Sequence, residues 1–117
     1  MKRKIKFRAW DKDEKMMFPH EEIDKYDQDG IVMWGDIFSG ESDFFEPMQF
    51  TGLLDKNSNE IYEGDIVICT HPNNPYISRG EVKFVDGAYW VNNTYLTDYD
   101  GFEIIGNICE NSDLLIK

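Results

Sequence analysis

A chain of 117 residues, 41% hydrophobic and 15% aromatic, is long enough and apolar enough for one folded domain with a real core, which excludes a disordered chain. Its formal net charge of −11 repels phosphate, so general nucleic-acid binding is disfavoured. No apolar run approaches the roughly 20 residues that span a bilayer, and the charged Met1–Arg8 is followed by no signal-peptide core, so no membrane partner and a cytoplasmic location are expected.

The charge is unevenly placed. Residues 1–19 hold seven bases against three acids, residues 20–65 thirteen acids against two lysines, and residues 66–117 seven acids against three bases. Lys2–Trp10 alternates: Lys2, Lys4, Lys6 and Arg8 share one strand face, and Ile5, Phe7 and Ala9 the other. Asp11–Glu14 reads as a turn and Lys15–Phe18 as the returning strand of a hairpin. The basic face suits either a phosphate-contacting ribbon or a solvated edge whose lysines deter strand addition.

Pro19–Gly30 is open between a one-turn helix and an irregular loop. Asp24, Asp27, Asp29 and Gly30 look like the start of a calcium loop, but counted from Asp24 the glycine falls at the seventh position rather than the sixth, and no metal is assigned. Ile31–Trp34 is a short strand candidate. Gly35–Phe45 reads as a mobile acidic loop carrying Phe38, Phe44 and Phe45, which either mark a protein-binding surface or pack back on the core.

Met48–Leu54 suits a pleated strand, with Phe50 and Thr51 at its centre. Asp55–Asn59 has no apolar residue, and its Asp, Asn and Ser side chains favour a turn by bonding their own backbone. Glu60–Tyr62 resumes the strand, Glu63–Asp65 breaks it at Gly64, and Ile66–Cys69 is an apolar run fitting a strand covered on both faces. Thr70–Arg79, with Pro72, Pro75 and an Asn pair, reads as a loop. Cys69 and His71 would share a strand face, half of a zinc site. Cys109 and His20 are the remaining thiol and imidazole, and nothing in the spacing assembles the four. Two small buried thiols are the simpler reading, and a buried Cys69 opposes a Cys–His nucleophile.

Gly80–Val91 carries the strongest local signal. Asp86-Gly87 is a two-residue hairpin turn that sets Phe84 opposite Tyr89 and Val82 opposite Val91 on a core face, with Lys83 opposite Trp90 on the other. Trp90 then either takes a cation–π contact from Lys83 or stacks on a nucleobase. Asn92–Gly101 is a polar loop, Phe102–Ile108 a last strand, and Asn111–Asp113 the cap of a short helix carrying Leu114 and Leu115.

Three blocks stand out together: KFRAWD at Lys6–Asp11, TGLLDKNSNEIYEGDIV at Thr51–Val67, and EIIGNICEN at Glu103–Asn111. In this order they resemble the YopX family of phage and prophage proteins. The resemblance implies a small, mostly β protein with minor α content, encoded by a phage or prophage. It carries no catalytic residues over to this chain, because none are defined for the family. The strand order from Ile61 to Ile108 is similar to small SH3-like barrels. A single domain is expected, with a β-hairpin and acidic loop region over 1–60 and an SH3-like β part over 61–117.

For function, the residues favour a non-catalytic interaction module that binds a protein or another copy of itself, including as an acidic decoy for a basic host protein. Single-stranded nucleic-acid binding along the basic N-terminal strand is the alternative, with Trp10, Tyr89 and Trp90 as stacking platforms. A metal-dependent enzyme using Asp98, Asp100 and Glu103 ranks last, since no spacing commits them. No cofactor is implied. The partner-binding candidates are Lys4, Lys6, Arg8, Trp10, Phe38, Phe44, Phe45 and Trp90.

Overall fold

The computed structural model describes residues 5–30, 34–39, 45–71 and 74–115. The protein is mostly β, with two sheets, one of them a half-barrel. It divides into two compact units, Met1–Phe50 and Thr51–Lys117. Among the described residues no helix is long and apolar enough to cross a membrane.

In the first unit, β1 (Phe7–Asp11) and β2 (Met16–Phe18) form the expected hairpin, Ala9 opposite Phe18 and Asp11 opposite Met16. Its turn is built by Asp11, whose Oδ1 accepts the backbone N–H of Asp13 at 2.9 Å and of Glu14 at 3.0 Å. β1 also pairs antiparallel with the first half of β3 (Phe45–Leu54), Phe7 opposite Gln49 and Asp11 opposite Phe45. The segment left open between helix and loop is a helix, α1 (His20–Gln28), with Glu21 and Glu22 in its first turn, where the helix dipole favours acids.

The expected strand at Ile31–Trp34 and loop at Gly35–Phe45 are corrected where the structure describes them. Trp34 opens a second helix, α2 (Trp34–Ser39), and Phe45 begins β3. Residues 31–33 and 40–44 lie outside the described residues. Trp34, Ile37 and Phe38 stand at i, i+3 and i+4, one helical face. The core is Ala9, Ile23 and Ile37, flanked by Phe18, Trp34 and Phe45.

The second unit takes over the last residues of β3 and β4 (Glu60–Tyr62), tied by Thr51 Oγ1 donating to the Ile61 carbonyl at 2.8 Å. Then come β5 (Asp65–His71), β6 (Asn74–Val85), β7 (Ala88–Val91), β8 (Thr94–Tyr95) and β9 (Gly101–Asn107), in sheet order β8-β7-β6-β5-β9. The first strand of the meander thus pairs with both the second and the last, and a 3-10 turn (Leu96–Asp98) stands before the last strand. This is the connectivity of the expected SH3-like part.

The Asp86-Gly87 hairpin has the expected register, Val82 opposite Val91, Lys83 opposite Trp90 and Phe84 opposite Tyr89. Both turn residues have positive φ, as a two-residue turn matched to strand twist requires. Phe84, expected in the core, is instead 49% exposed, because the hairpin tip runs past the packed region. Thr70–Arg79, expected as a loop, is mostly strand. β5 and β6 stay paired from Ile66 opposite Glu81 to Thr70 opposite Ile77, with a register shift at Thr70/His71. The apolar Ile66–Cys69 run is buried at Ile66, Val67 and Cys69 and half-buried at Ile68.

The core of this unit is Ile61, Val67, Cys69, Val82, Val91, Leu96 and Tyr99. Two of these come from the stretch read as a polar loop. Leu96 is 1% exposed, and the Tyr99 hydroxyl donates to the Val91 carbonyl at 3.0 Å. The 3-10 turn is therefore a plug in the sheet's concave side. Leu96→Ala should cost about 2–5 kcal/mol by opening a core cavity; chemical denaturation of the variant against the parent checks this.

Candidate functional site

The blocks that single out this sequence are built from side chains that bond backbone. Asp55 is 6% exposed. Its Oδ1 accepts the N–H groups of Asn57 and Asn59, each at 2.9 Å, and its Oδ2 accepts the N–H of Ile104 at 3.1 Å and the Asn59 amide at 3.4 Å. The next residue continues the contact, Lys56 N–H donating to the Phe102 carbonyl at 2.8 Å. Both bonds fall on the side of β9 away from β5, so the 55–56 turn closes an edge that would otherwise offer free donors and acceptors. Burial raises the Asp55 carboxyl, but the hydrogen bonds from Asn59, Ile104 and Asn57 outweigh it and hold the group below its ordinary value of 3.8.

The other block residues work the same way. Asp65, 2% exposed, accepts the Tyr62 N–H at 2.7 Å. Gly64, at φ +83°, donates to the Val82 carbonyl at 2.9 Å and accepts from Ile108 N–H at 2.7 Å. Asn107 Oδ1 accepts from Cys109 N–H at 3.0 Å and Glu110 N–H at 2.9 Å, and Asn111 Oδ1 accepts from Asn107 N–H at 3.2 Å. A side chain at Gly106 would meet Asn111 atoms at 2.7–2.9 Å.

Surface groups able to meet a partner lie elsewhere. In the first unit, Phe38 is 47% exposed and packs edge-on to Phe7 at 4.7 Å and stacked on Trp34 at 5.6 Å. Ile5, adjacent in sequence to the strand that carries Phe7, is also exposed. Trp34 Nε1 donates to Asp24 Oδ1 at 2.6 Å, and His20 Nε2 lies 3.3 Å from Asp24 Oδ2. His20 Nδ1 lies 3.1 Å from both the backbone nitrogen and the carbonyl oxygen of Phe7. The result is an aromatic platform held from below by one carboxylate.

The sequence-derived candidates separate around this platform. Phe38 is its exposed part, and Phe45 packs on the core beneath, with Phe18 at 6.3 Å. Lys6 reaches Glu21 at 3.0 Å, a bond that holds the Glu21 carboxyl below its ordinary value. Arg8 lies against the Met48 sulfur at 3.6 Å, and Trp10 is buried, leaving its ring no open face. Lys4 and Phe44 lie outside the described residues. In the second unit Trp90 stacks on Tyr95 at 4.1 Å and donates to the Val85 carbonyl at 3.1 Å, so Tyr95 is its ring partner. Sequence reasoning missed Trp34 and Asp24 as a pair, because the helix that presents the indole was read as strand and loop.

Burial pushes the Cys69 thiol up to about 12, so it holds no thiolate near neutral pH. The His71 side chain lies outside the described residues. Neither Cys69 nor Cys109 is in a disulfide. Glu103 pairs with Lys56 at 3.5 Å, and among the described residues no three His, Cys, Asp or Glu side chains are placed to hold a metal ion.

Comparison with known proteins adds family and fold. A family model described as YopX protein matches residues 6–116. The chain is similar to the crystal structure of protein EF1440 from Enterococcus faecalis, with 29% identity and a TM-score of 0.66, over 97% of this chain and 99% of that one. None of the curated proteins matches.

Replacing Asp55 should show its role as a backbone acceptor. Asp55→Ala leaves three backbone N–H groups, of Asn57, Asn59 and Ile104, without their acceptor and should cost about 1–3 kcal/mol by denaturant titration. Because the folded-state carboxyl titrates below 3.8, its contribution is whole above that value and is lost as pH falls through the lowered one. The parent should therefore hold its melting temperature down to about pH 4 and lose it below, while Asp55→Asn starts lower and falls less over that acid range.

Proposed function

We propose that this chain, which belongs to the YopX family, is a non-catalytic interaction module of phage or prophage origin that binds a basic partner protein through the aromatic platform of its first unit. The observation that carries the reading is Phe38, nearly half exposed on a stack fixed by Trp34 and Phe7. A phenyl ring kept at the surface by two aromatic neighbours is the kind of preformed apolar anchor that protein interfaces use.

Charge supplies the partner's character. Glu21 and Asp24 lie on the helix beside the platform, within the segment that holds thirteen acids against two lysines. A partner offering an apolar side chain flanked by Lys or Arg meets both features, and the net charge of −11 speeds its encounter. The acidic-decoy version, in which carboxylates occupy a surface meant for phosphates, is a special case of the same contact.

The geometry gives less to the nucleic-acid alternative. Lys6 and Arg8 are engaged with Glu21 and Met48, and Trp10 is buried. Affinity capture from nuclease-treated host lysate, at low and high salt, compares the two. Under the proposal the chain retains a basic protein at low salt and releases it at high salt, and Phe38→Ala lowers retention at least about tenfold while its melting curve stays two-state. Equal capture by Phe38→Ala, or recovery of nucleic acid alone when nuclease is omitted, would overturn it.

A further inference from the structure

A second surface, unrelated to the platform, lies in the second unit on the outer face of β6. Alternation along the strand places Ile77, Arg79, Glu81, Lys83 and Val85 on one face, with Val82 on the opposite, buried face. Two overlapping openings of about 500 and 480 Å³ follow this face from Ile77 to Lys83, and the exposed Val85 lies beyond them. Arg79, Asn92 and Leu115 line both; Ile68 and Ile77 line one, and Gly80, Glu81 and Lys83 the other. Gly80 falls on the opposite face with Val82, where a Cβ would meet Asn92 Oδ1 at 2.6 Å and Val91 Cγ1 at 3.0 Å. The Asn92 amide reaches back to the Arg79 carbonyl at 3.4 Å.

The charges on this face are what distinguish it. In a chain with 23 acids and 12 bases, Arg79 and Lys83 are exposed and in no ion pair among the described residues. Lys56, the other described base of this unit, is paired with Glu103. Read along the strand the face runs apolar, plus, minus, plus, apolar: Ile77, Arg79, Glu81, Lys83, Val85. Successive positions are two residues apart, about 7 Å.

We infer that this groove docks an extended segment of a partner protein carrying acid, base, acid at alternate positions between two apolar side chains. The order sets a carboxylate at Arg79, an ammonium at Glu81 and a carboxylate at Lys83, with apolar ends on Ile77 and Val85. A uniformly acidic segment would meet Glu81 and the acidic body, and a basic one would meet Arg79 and Lys83. The site selects by charge order rather than by net charge, the opposite of the platform, where net positive charge is favoured.

The test uses the full 15N-labelled chain and two synthetic nonapeptides, LSESKSESL and its charge-inverted counterpart LSKSESKSL. The first carries the complementary order yet a net negative charge, so long-range repulsion works against it. The expected result is that LSESKSESL shifts the amides of residues 77–85 and Asn92 and binds tighter than LSKSESKSL. The double variant Arg79→Gln, Lys83→Gln should weaken it about fivefold, the scale of two exposed ion pairs. The inference is overturned if the inverted peptide binds equally or tighter, if the shifts map elsewhere, or if millimolar LSESKSESL moves nothing. Shifts of the Trp34 indole and Phe38 amide with LSKSESKSL report on the platform separately, so either surface can fail alone.

Discussion

A buried carboxylate must find donors or lose its charge, and in this protein the demand at Asp55 is met by the backbone. One oxygen takes the donors of its own turn, and the other reaches across to Ile104. That single residue shapes the 55–59 turn and closes the outer edge of β9. Its neighbour Lys56 adds a bond to the Phe102 carbonyl, so one donor and one acceptor of that edge are occupied. Nine residues after Asp55, Gly64 links the start of β5 to β6 and to the chain after β9. The second unit's sheet is thus laced at both ends of β9 from one short stretch.

The same physics accounts for what the polar side chains of the family blocks do. Asp11, Asp55, Asp65, Asn107 and Asn111 all spend their oxygens on backbone N–H groups. Loss of such a residue leaves those donors without their acceptor. Surfaces that can meet a partner are found where no such bond is made: the Trp34–Phe38 stack, and the β6 face with Arg79 and Lys83.

Much of this was legible in the sequence where local chemistry decides. Asp86-Gly87 fixed a hairpin register because few residues tolerate positive φ, and Asp55–Asn59 announced its turn by composition. The mostly β class and the strand order after Tyr62 followed. What failed was decided at a distance. Gly35–Ser39 looks like a loop until Ile37 finds Ala9 and Ile23 to pack against. Leu96 and Tyr99 look polar-loop residues until the sheet curves over them. The Trp34–Asp24 bond joins residues ten apart on two short helices, and no spacing rule announces it. Lys6 and Arg8 form an alternating basic strand in sequence, yet the neighbours that engage them, Glu21 and Met48, come from other elements.

The most direct measurement is amide hydrogen exchange of Ile104 in the native protein at neutral pH. Its N–H points away from β5 on an edge strand, and among the described residues its acceptor is the Asp55 carboxylate. The account predicts protection comparable to interior sheet amides in the parent and its loss in Asp55→Asn while Val67 and Val82 stay protected. Exchange of Ile104 at the rate of an open edge amide in the parent would contradict it.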